Sequence, residues 1–317
     1  MSQMTPGQTR VVDPILSNVV RGYKRPGNVA RVLFPIVYVT TYGGKTVEFG
    51  KESFRLHNSA RAPGSNTKRI DVGYAGKPFA ITPHALEAKV PRELMRDASQ
   101  VPGIDLAGRA TNVAMDSLEL EHEYESAQLA RSAANYDAEH KTALVGPARW
   151  TSATSDPSAD IAAALEAIRG SIGIRGNRVV LGPSAFAAAR VHPKIIERIK
   201  YTSRDSATPE ILASLWQVKE VVVGDAVVAT GANDDFGDVW GDDAIVAYVP
   251  DQVEAGNNQF EPSYGYTYAI DGEPSVETPY YDNNAKSWIY GVSNDSTPVQ
   301  SGMVAGYLIQ DAGKPAA

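Results

Sequence analysis

Hydrophobic and polar positions change their period several times along the chain, and each change marks a different kind of element. In residues 1–36, short apolar pairs such as Ile15-Leu16 alternate with basic Arg10, Arg21, Lys24, Arg25 and Arg31, and Pro6, Pro14, Pro26 and Pro35 recur throughout. Each proline lacks an N–H and restricts the residue before it, so a long helix is excluded and an extended arm is predicted. Across residues 37–82 the pattern turns to short alternating runs, Val37-Tyr38-Val39 and Thr46-Val47-Glu48-Phe49, broken by Gly43-Gly44, Gly50, Pro63-Gly64, Gly73 and Gly76. That predicts a long β-hairpin over 37–80, whose polar middle cannot bury two faces and so must lie on something else.

After Pro102-Gly103 the period becomes helical. Leu106, Ala110, Val113, Ala114, Leu118, Tyr124, Ala127 and Ala130 form one stripe, while Glu119, Glu121, Glu123 and Glu125 occupy the opposite, solvated or partnered face. A spine helix of about 103–134 follows, roughly 45 Å long at ~1.5 Å per residue. Past a Ser/Thr/Asp/Pro-rich connection at 151–159 the pattern is compact: helix 160–169, strand 178–181, helices 183–191, 193–200 and 209–215, and strand 218–223. Three of these helices begin at Pro183, Pro193 and Pro209, which suit a first helical turn because the missing N–H would be unpaired there anyway. The run Ala-Ile-Val-Ala-Tyr-Val at 244–249 reads as a buried strand, and β-prone runs at 264–270, 287–292 and 303–309 follow. Because β segments flank the α/β stretch on both sides, that stretch is predicted to be an insertion into the domain carrying the spine.

A chain of 317 residues exceeds one ordinary domain of ~100–200 residues, which fits two lobes with extensions. Without cysteine there is no disulfide, no thiolate metal site and no thiol nucleophile. No apolar run is long enough to cross a membrane and the first residues carry no signal pattern, which predicts a protein made and kept in the cytosol, or leaving it by a route other than secretion, with no membrane partner. A net charge of −7 opposes generic polyanion binding, which needs lysine and arginine to displace counterions; the simple reading is solubility, and a protein lining a DNA container would also benefit from it.

The candidate chemistry dissolves on inspection. Glu119-x-x-His122 has di-iron spacing, but Asp137-x-x-His140 is only a loose second pair, so a solvated helix face is the expectation. Gly170, Gly173 and Gly176 lie between a helix and a strand, the reverse of the order a phosphate loop needs. Gly182-Pro183-Ser184 lacks the glycine spacing of a nucleophile elbow, and the acidic stretch 233–238 lacks calcium-loop alternation and is expected to be a surface turn. His57, His84, His122, His140 and His192 are scattered. No catalytic, cofactor or metal site is expected.

The strings Arg178-Val-Val-Leu-Gly-Pro-Ser-Ala-Phe, His192-Pro193-Lys194-Ile195, Leu212-Ala-Ser-Leu-Trp-Gln-Val218, Val221-Val-Val-Gly-Asp-Ala226, Trp240-Gly-Asp-Asp-Ala244 and Gly306-Tyr-Leu-Ile309, in that order, resemble the major capsid proteins of tailed bacteriophages. The resemblance implies the α+β Hong Kong 97 capsid fold: an N-terminal arm (1–36), an extended E-loop (37–82), a P-domain in two parts (83–158 with the spine, and 256–317), and an inserted A-domain (159–255). It further implies a structural protein, not an enzyme, that self-assembles into pentamers and hexamers of an icosahedral head around double-stranded DNA in the virion, after assembly in the host cytoplasm. Implied partners are other copies, a portal at one vertex, a decoration or minor capsid protein, non-specific contact with packaged DNA, and a separate scaffolding protein, since the arm begins near Met1. Some members crosslink a hairpin lysine to a P-domain asparagine; Lys45, Lys51, Lys68, Lys77 and Asn283 or Asn284 match chemically, with no motif to assign them. The alternatives are an encapsulin-type nanocompartment shell, which shares the fold and encloses an enzyme, and a hydrolase with a β-rich accessory region, which would need a nucleophile and base in one cleft.

Overall fold

The computed structural model describes residues 13, 16–17, 27–46, 60, 78–98, 105–200, 206–229, 235–251 and 263–316. Elements are numbered along the chain, and the largest core lies beneath a five-stranded sheet. Its strands are β5 (Lys141–Ala143), β6 (Arg178–Leu181), β7 (Glu220–Val223), β10 (Ala244–Ala247) and β16 (Gly306–Gln310), in the order β5-β16-β10-β6-β7. The central β10 is antiparallel to both neighbours and buried at every position, as its unbroken apolar run predicts for a strand covered on both faces. The route from β6 to its parallel neighbour β7 needs a crossover, supplied by α5 (Pro183–Arg190), α6 (Pro193–Ile199) and α7 (Pro209–Trp216), each starting at the predicted proline. Ahead of them α4 (Pro157–Ile172) is capped by the Asp156 carboxylate, which accepts from Ala159 N at 3.1 Å, and is ended by Gly173 at φ +72°.

The spine is α3 (Leu106–Arg131), 26 residues long. Asp105 accepts from Gly108 N at its start, and two of its last carbonyls are met inside the protein, Leu129 O by Asn135 Nδ2 and Ala130 O by the Tyr136 hydroxyl. Its apolar side packs on a second sheet. There β14 (Ser287–Ser293) pairs over its full length with β4 (Ala85–Pro91), and on its other side with β12 (Ser275–Val276) and β13 (Tyr280–Asp282). Next to β4 stands a short helix, α2 (Arg92–Ala98). A third sheet, in the order β1-β11-β15, joins β1 (Ile36–Val39), β11 (Tyr266–Ile270) and β15 (Ser296–Val299). The helix α1 (Ala30–Leu33) sits just before β1, against α3 and β6.

Three features depart from the sequence reading. Val37-Tyr38-Val39 does not enter the hairpin; it pairs in parallel with Tyr268-Ala269-Ile270, and the hairpin ladder starts at β2 (Gly43–Lys45) with β3 (Pro78–Ala80). The middle of the hairpin lies outside the described residues. The run before Gln310, read with the returning strands beside the spine, inserts as β16 between β5 and β10 instead; Leu308 and Ile309 are buried there, which the two-sided cover of that sheet permits. Finally, β4 and α2 had no counterpart in the predicted pattern, because Ala85-Leu-Glu-Ala-Lys-Val alternates too weakly to declare a strand and gains it only from β14.

Candidate functional site

The acidic side of the spine is where the structure most departs from expectation. Glu119 and Glu123 are buried, not solvated. Glu123 Oε1 accepts from Val29 N at 2.8 Å and Trp240 Nε1 at 2.6 Å, and Oε2 accepts from Ala30 N at 2.9 Å. One carboxylate therefore holds the start of α1, the spine and the loop before β10. One turn earlier Glu119 pairs with Arg31, also of α1. Burial pushes both carboxyls above their ordinary range, opposed in Glu119 by Arg31 and in Glu123 by the three N–H donors. A signal was present in the sequence: 119 and 123 continue the four-residue step from Met115 to Ala127, so the acids fall in the core-facing register.

His122 completes this core; among the described residues no group of three or more acids, histidines or cysteines is placed to hold a metal. The Thr267 hydroxyl donates to Phe34 O at 3.0 Å, which spends its one proton. His122 Nε2, 3.1 Å from Thr267 Oγ1, must then be the donor, so the ring is the neutral Nε2–H tautomer. Burial, with Arg31 and His84 nearby, holds its pKa down to about 4 from the ordinary 6.5. Because the folded form resists the proton that the unfolded chain accepts, stability should fall as pH drops from about 6.5 towards 4, by about 3 kcal/mol from this group. Urea unfolding of the wild type and His122→Gln at pH 7 and pH 4 isolates it from the opposite drift of Glu119 and Glu123: the wild type should lose about that much more than the variant, and equal losses would contradict the assignment.

The remaining candidates are structural. Asp137 Oδ1 and Ser171 Oγ hold the two nitrogens of buried His140, at 2.7 and 3.0 Å. His192 Nδ1 accepts from Lys194 N at the start of α6, and its Nε2 meets Ser152 O and Ser155 Oγ. His84 lies 3.5 Å from Glu121. Gly170 lies in the last turn of α4, Gly173 ends that helix and Gly176 lies in the connection to β6, and the Ser184 hydroxyl is turned onto Asp242 Oδ1. Of the acidic stretch, Phe236–Asp238 is the exposed strand β9, paired with β8 (Val227–Ala229), while Asn233 and Asp234 fall outside the described residues, as do His57, Lys51, Lys68 and Lys77. Asn283 and Asn284 are exposed on the turn between β13 and β14, and Lys45 is exposed at the hairpin root.

What this arrangement can do is present rigidly rooted extensions. Phe79 of β3 stacks on Tyr268 of β11 with ring centroids 4.2 Å apart, and Gly44 leaves room for that ring, since a Cβ there would approach Phe79 to 2.8 Å. The Tyr42 hydroxyl donates to Asp295 Oδ2 at 2.6 Å, and Thr82 N to Thr297 Oγ1 at 3.0 Å. The hairpin root is thus bolted to the third sheet while its own strands stay exposed. Among the described residues no helix is long and apolar enough to cross a membrane.

Comparison with known proteins covers nearly the whole chain. Residues 128–288 match the model of the phage major capsid protein E family. The major capsid protein of Burkholderia phage BcepMu is 35% identical over 304 residues, covering 95% of this chain and 96% of the relative. A solved structure of a phage-related protein from Bordetella bronchiseptica RB50 is 58% identical, with a TM-score of 0.84 over 98% of this chain and 100% of that one. The capsid structure of the cyanophage P-SCSP1u, at 10% identity and a TM-score of 0.53 over 91% of this chain and 89% of that one, shares the fold.

Proposed function

This chain belongs to the phage major capsid proteins and has their α+β Hong Kong 97-type fold, and from that premise we propose that it forms pentamers and hexamers that close into an icosahedral head around double-stranded DNA. As a major capsid protein it is a structural component of the virion that assembles with copies of itself. In the proposed subunit, residues 1–36 are the arm, 37–82 the E-loop, 83–158 and 256–317 the P-domain, whose last strand β16 crosses into the sheet of the neighbouring lobe, and 159–255 the A-domain turned towards the capsomer axis. The single observation that carries the reading is the end-to-end relation to a major capsid protein, 95% of this chain against 96% of the relative, which includes arm and hairpin as well as the compact lobes.

The physical reasoning supports it. A hairpin bolted at its root by Phe79 and exposed at its first strand, Gly43–Lys45, gains further stability by covering another subunit; at ~25 cal/mol per Å² of apolar area, such extensions contribute many kcal/mol per copy. A net charge of −7 favours containment of DNA over adhesion to it, leaving packaged DNA to non-specific contacts. A separate scaffolding protein, a portal at one vertex and assembly in the host cytoplasm complete the proposal.

Negative-stain microscopy of particles containing the chain, with size-exclusion chromatography of the free protein, tests it. Closed icosahedral shells or capsomer rings are expected, with nucleic acid and no enzyme inside particles taken from infected cells. A stable monomer that assembles with no scaffold would refute it.

A further inference from the structure

The β8–β9 ribbon belongs to none of the larger sheets, and a lone two-stranded ribbon is marginal in water unless something covers it. Its register sets Ala229 opposite Phe236 and Val227 opposite Asp238, so these four side chains share one face, while Val228 on the other packs against the main core. The outward face is bare and apolar but for Asp238: Phe236 is 77% exposed and Val227 41%. Asp235 and Asp238 border it, and none of the described ribbon residues 227–229 and 235–238 is basic.

A cleft of complementary character lies between α4, α6 and α7. Its volume is about 300 Å³, ample for a phenyl ring; Leu165, Leu215 and Trp216 line it, and Arg175 and Arg198 flank it. Its acid, Glu166, is held by Arg169 Nε at 2.8 Å and lies 3.9 Å from Arg175 Nη2, an exposed contact, whereas Arg198 has no ion-pair partner among the described residues. The topology puts ribbon and cleft at opposite ends of the lobe. Arg175 and Leu215–Gln217 come just before the first residues of the parallel strands β6 and β7, while the ribbon leaves after the last residue of β7 and returns at Trp240, beside Gly182 and Gly224. One copy therefore cannot seat its own ribbon in its own cleft. Two different patches facing apart on one subunit make a head-to-tail contact, which closes into a ring when the rotation allows.

We propose that the β8–β9 ribbon of one copy inserts Phe236 into the α4–α6–α7 cleft of the next copy, with Arg175 and Arg198 facing Asp235 and Asp238, as the contact that closes capsomer rings. The inference rests on the shell reading above and names one of its interfaces.

The chain has no cysteine, so a pair introduced across this contact reports on it alone. Phe236→Cys combined with Ala162→Cys, the latter on the exposed rim of the cleft, should give on oxidation of assembled particles a ladder of disulfide-linked multimers ending at ring size, and neither single variant should. Phe236→Ala and Arg198→Glu should each raise the protein concentration needed for assembly about tenfold, or 1.4 kcal/mol, and Asp238→Arg should restore assembly to Arg198→Glu. Unfolding of the free Phe236→Ala subunit should match the wild type, since the ring is exposed. Normal shells without a ladder, and Phe236→Ala assembling at the wild-type concentration, would overturn the contact and leave the shell reading standing. Crosslinking of position 236 to a different protein would overturn it likewise. A wild-type chain that forms no particles at all would remove both.

Discussion

Glu123→Gln should destabilise the free subunit by about 3 kcal/mol, the expected cost of breaking a buried charged cluster by altering one partner. The carboxylate accepts from three N–H groups and donates to none. An amide of the same shape must turn its NH2 towards Ala30 N, or towards Val29 N and Trp240 Nε1, setting donor against donor in a site without water access. The relief of burying a neutral group offsets part of the loss, because burial already pushes the Glu123 carboxyl up. Urea unfolding at pH 7 measures the difference, and Glu121→Gln, two residues along and exposed, should stay within about 0.5 kcal/mol of wild type. Equal stability of both variants would mean that α1, spine and lobe are held together by packing alone. The assembly consequence follows from position: α1 lies at the end of the proposed arm, so the weakened subunit should also form fewer closed particles.

Much of the layout was legible because it rests on short-range physics. Proline starts gave α5, α6 and α7 nearly to the residue, and the apolar run gave β10. The spine stripe was legible for the same reason, with Ala110, Ala114, Leu118, Ala127 and Ala130 buried, although Val113 and Tyr124, placed in that stripe, are exposed. What failed depends on partners distant in sequence. Glu123 looks like one acid among four until Val29, Ala30 and Trp240 arrive from residues about a hundred positions away on either side. β16 reads as one more returning strand, and only the vacancy between β5 and β10 decides its sheet. The ribbon face and the cleft were equally hidden, since Phe236 and Arg198 are ordinary residues until the fold leaves one bare and the other without an ion-pair partner among the described residues.

The second junction between spine and lobe carries the other large effect. Arg131, the last residue of α3, donates from Nε to Asp243 Oδ2 at 2.7 Å and from Nη1 to Val239 O at 3.0 Å, while Asp243 Oδ1 accepts from Asp311 N at 2.9 Å. The guanidinium lies directly against Gly241, where a Cβ would come within 2.3 Å of Nη2 and where φ is +54°. Arg131→Met keeps the length of the side chain but strands the buried Asp243 carboxylate, so a loss of about 3 kcal/mol is expected. Asp243→Asn in the same background should then cost much less than it does alone, with a coupling of about 1–3 kcal/mol in the double-mutant cycle. Gly241→Ala separates charge from shape. In the wild type it meets both the guanidinium and an unfavourable backbone, whereas with Arg131→Met the steric part is relieved by a flexible thioether and only the left-handed strain of ~1 kcal/mol remains. Additive losses across all three substitutions would show that the spine and lobe meet here without an energetic tie, and the relative angle of the two would then have to be set elsewhere.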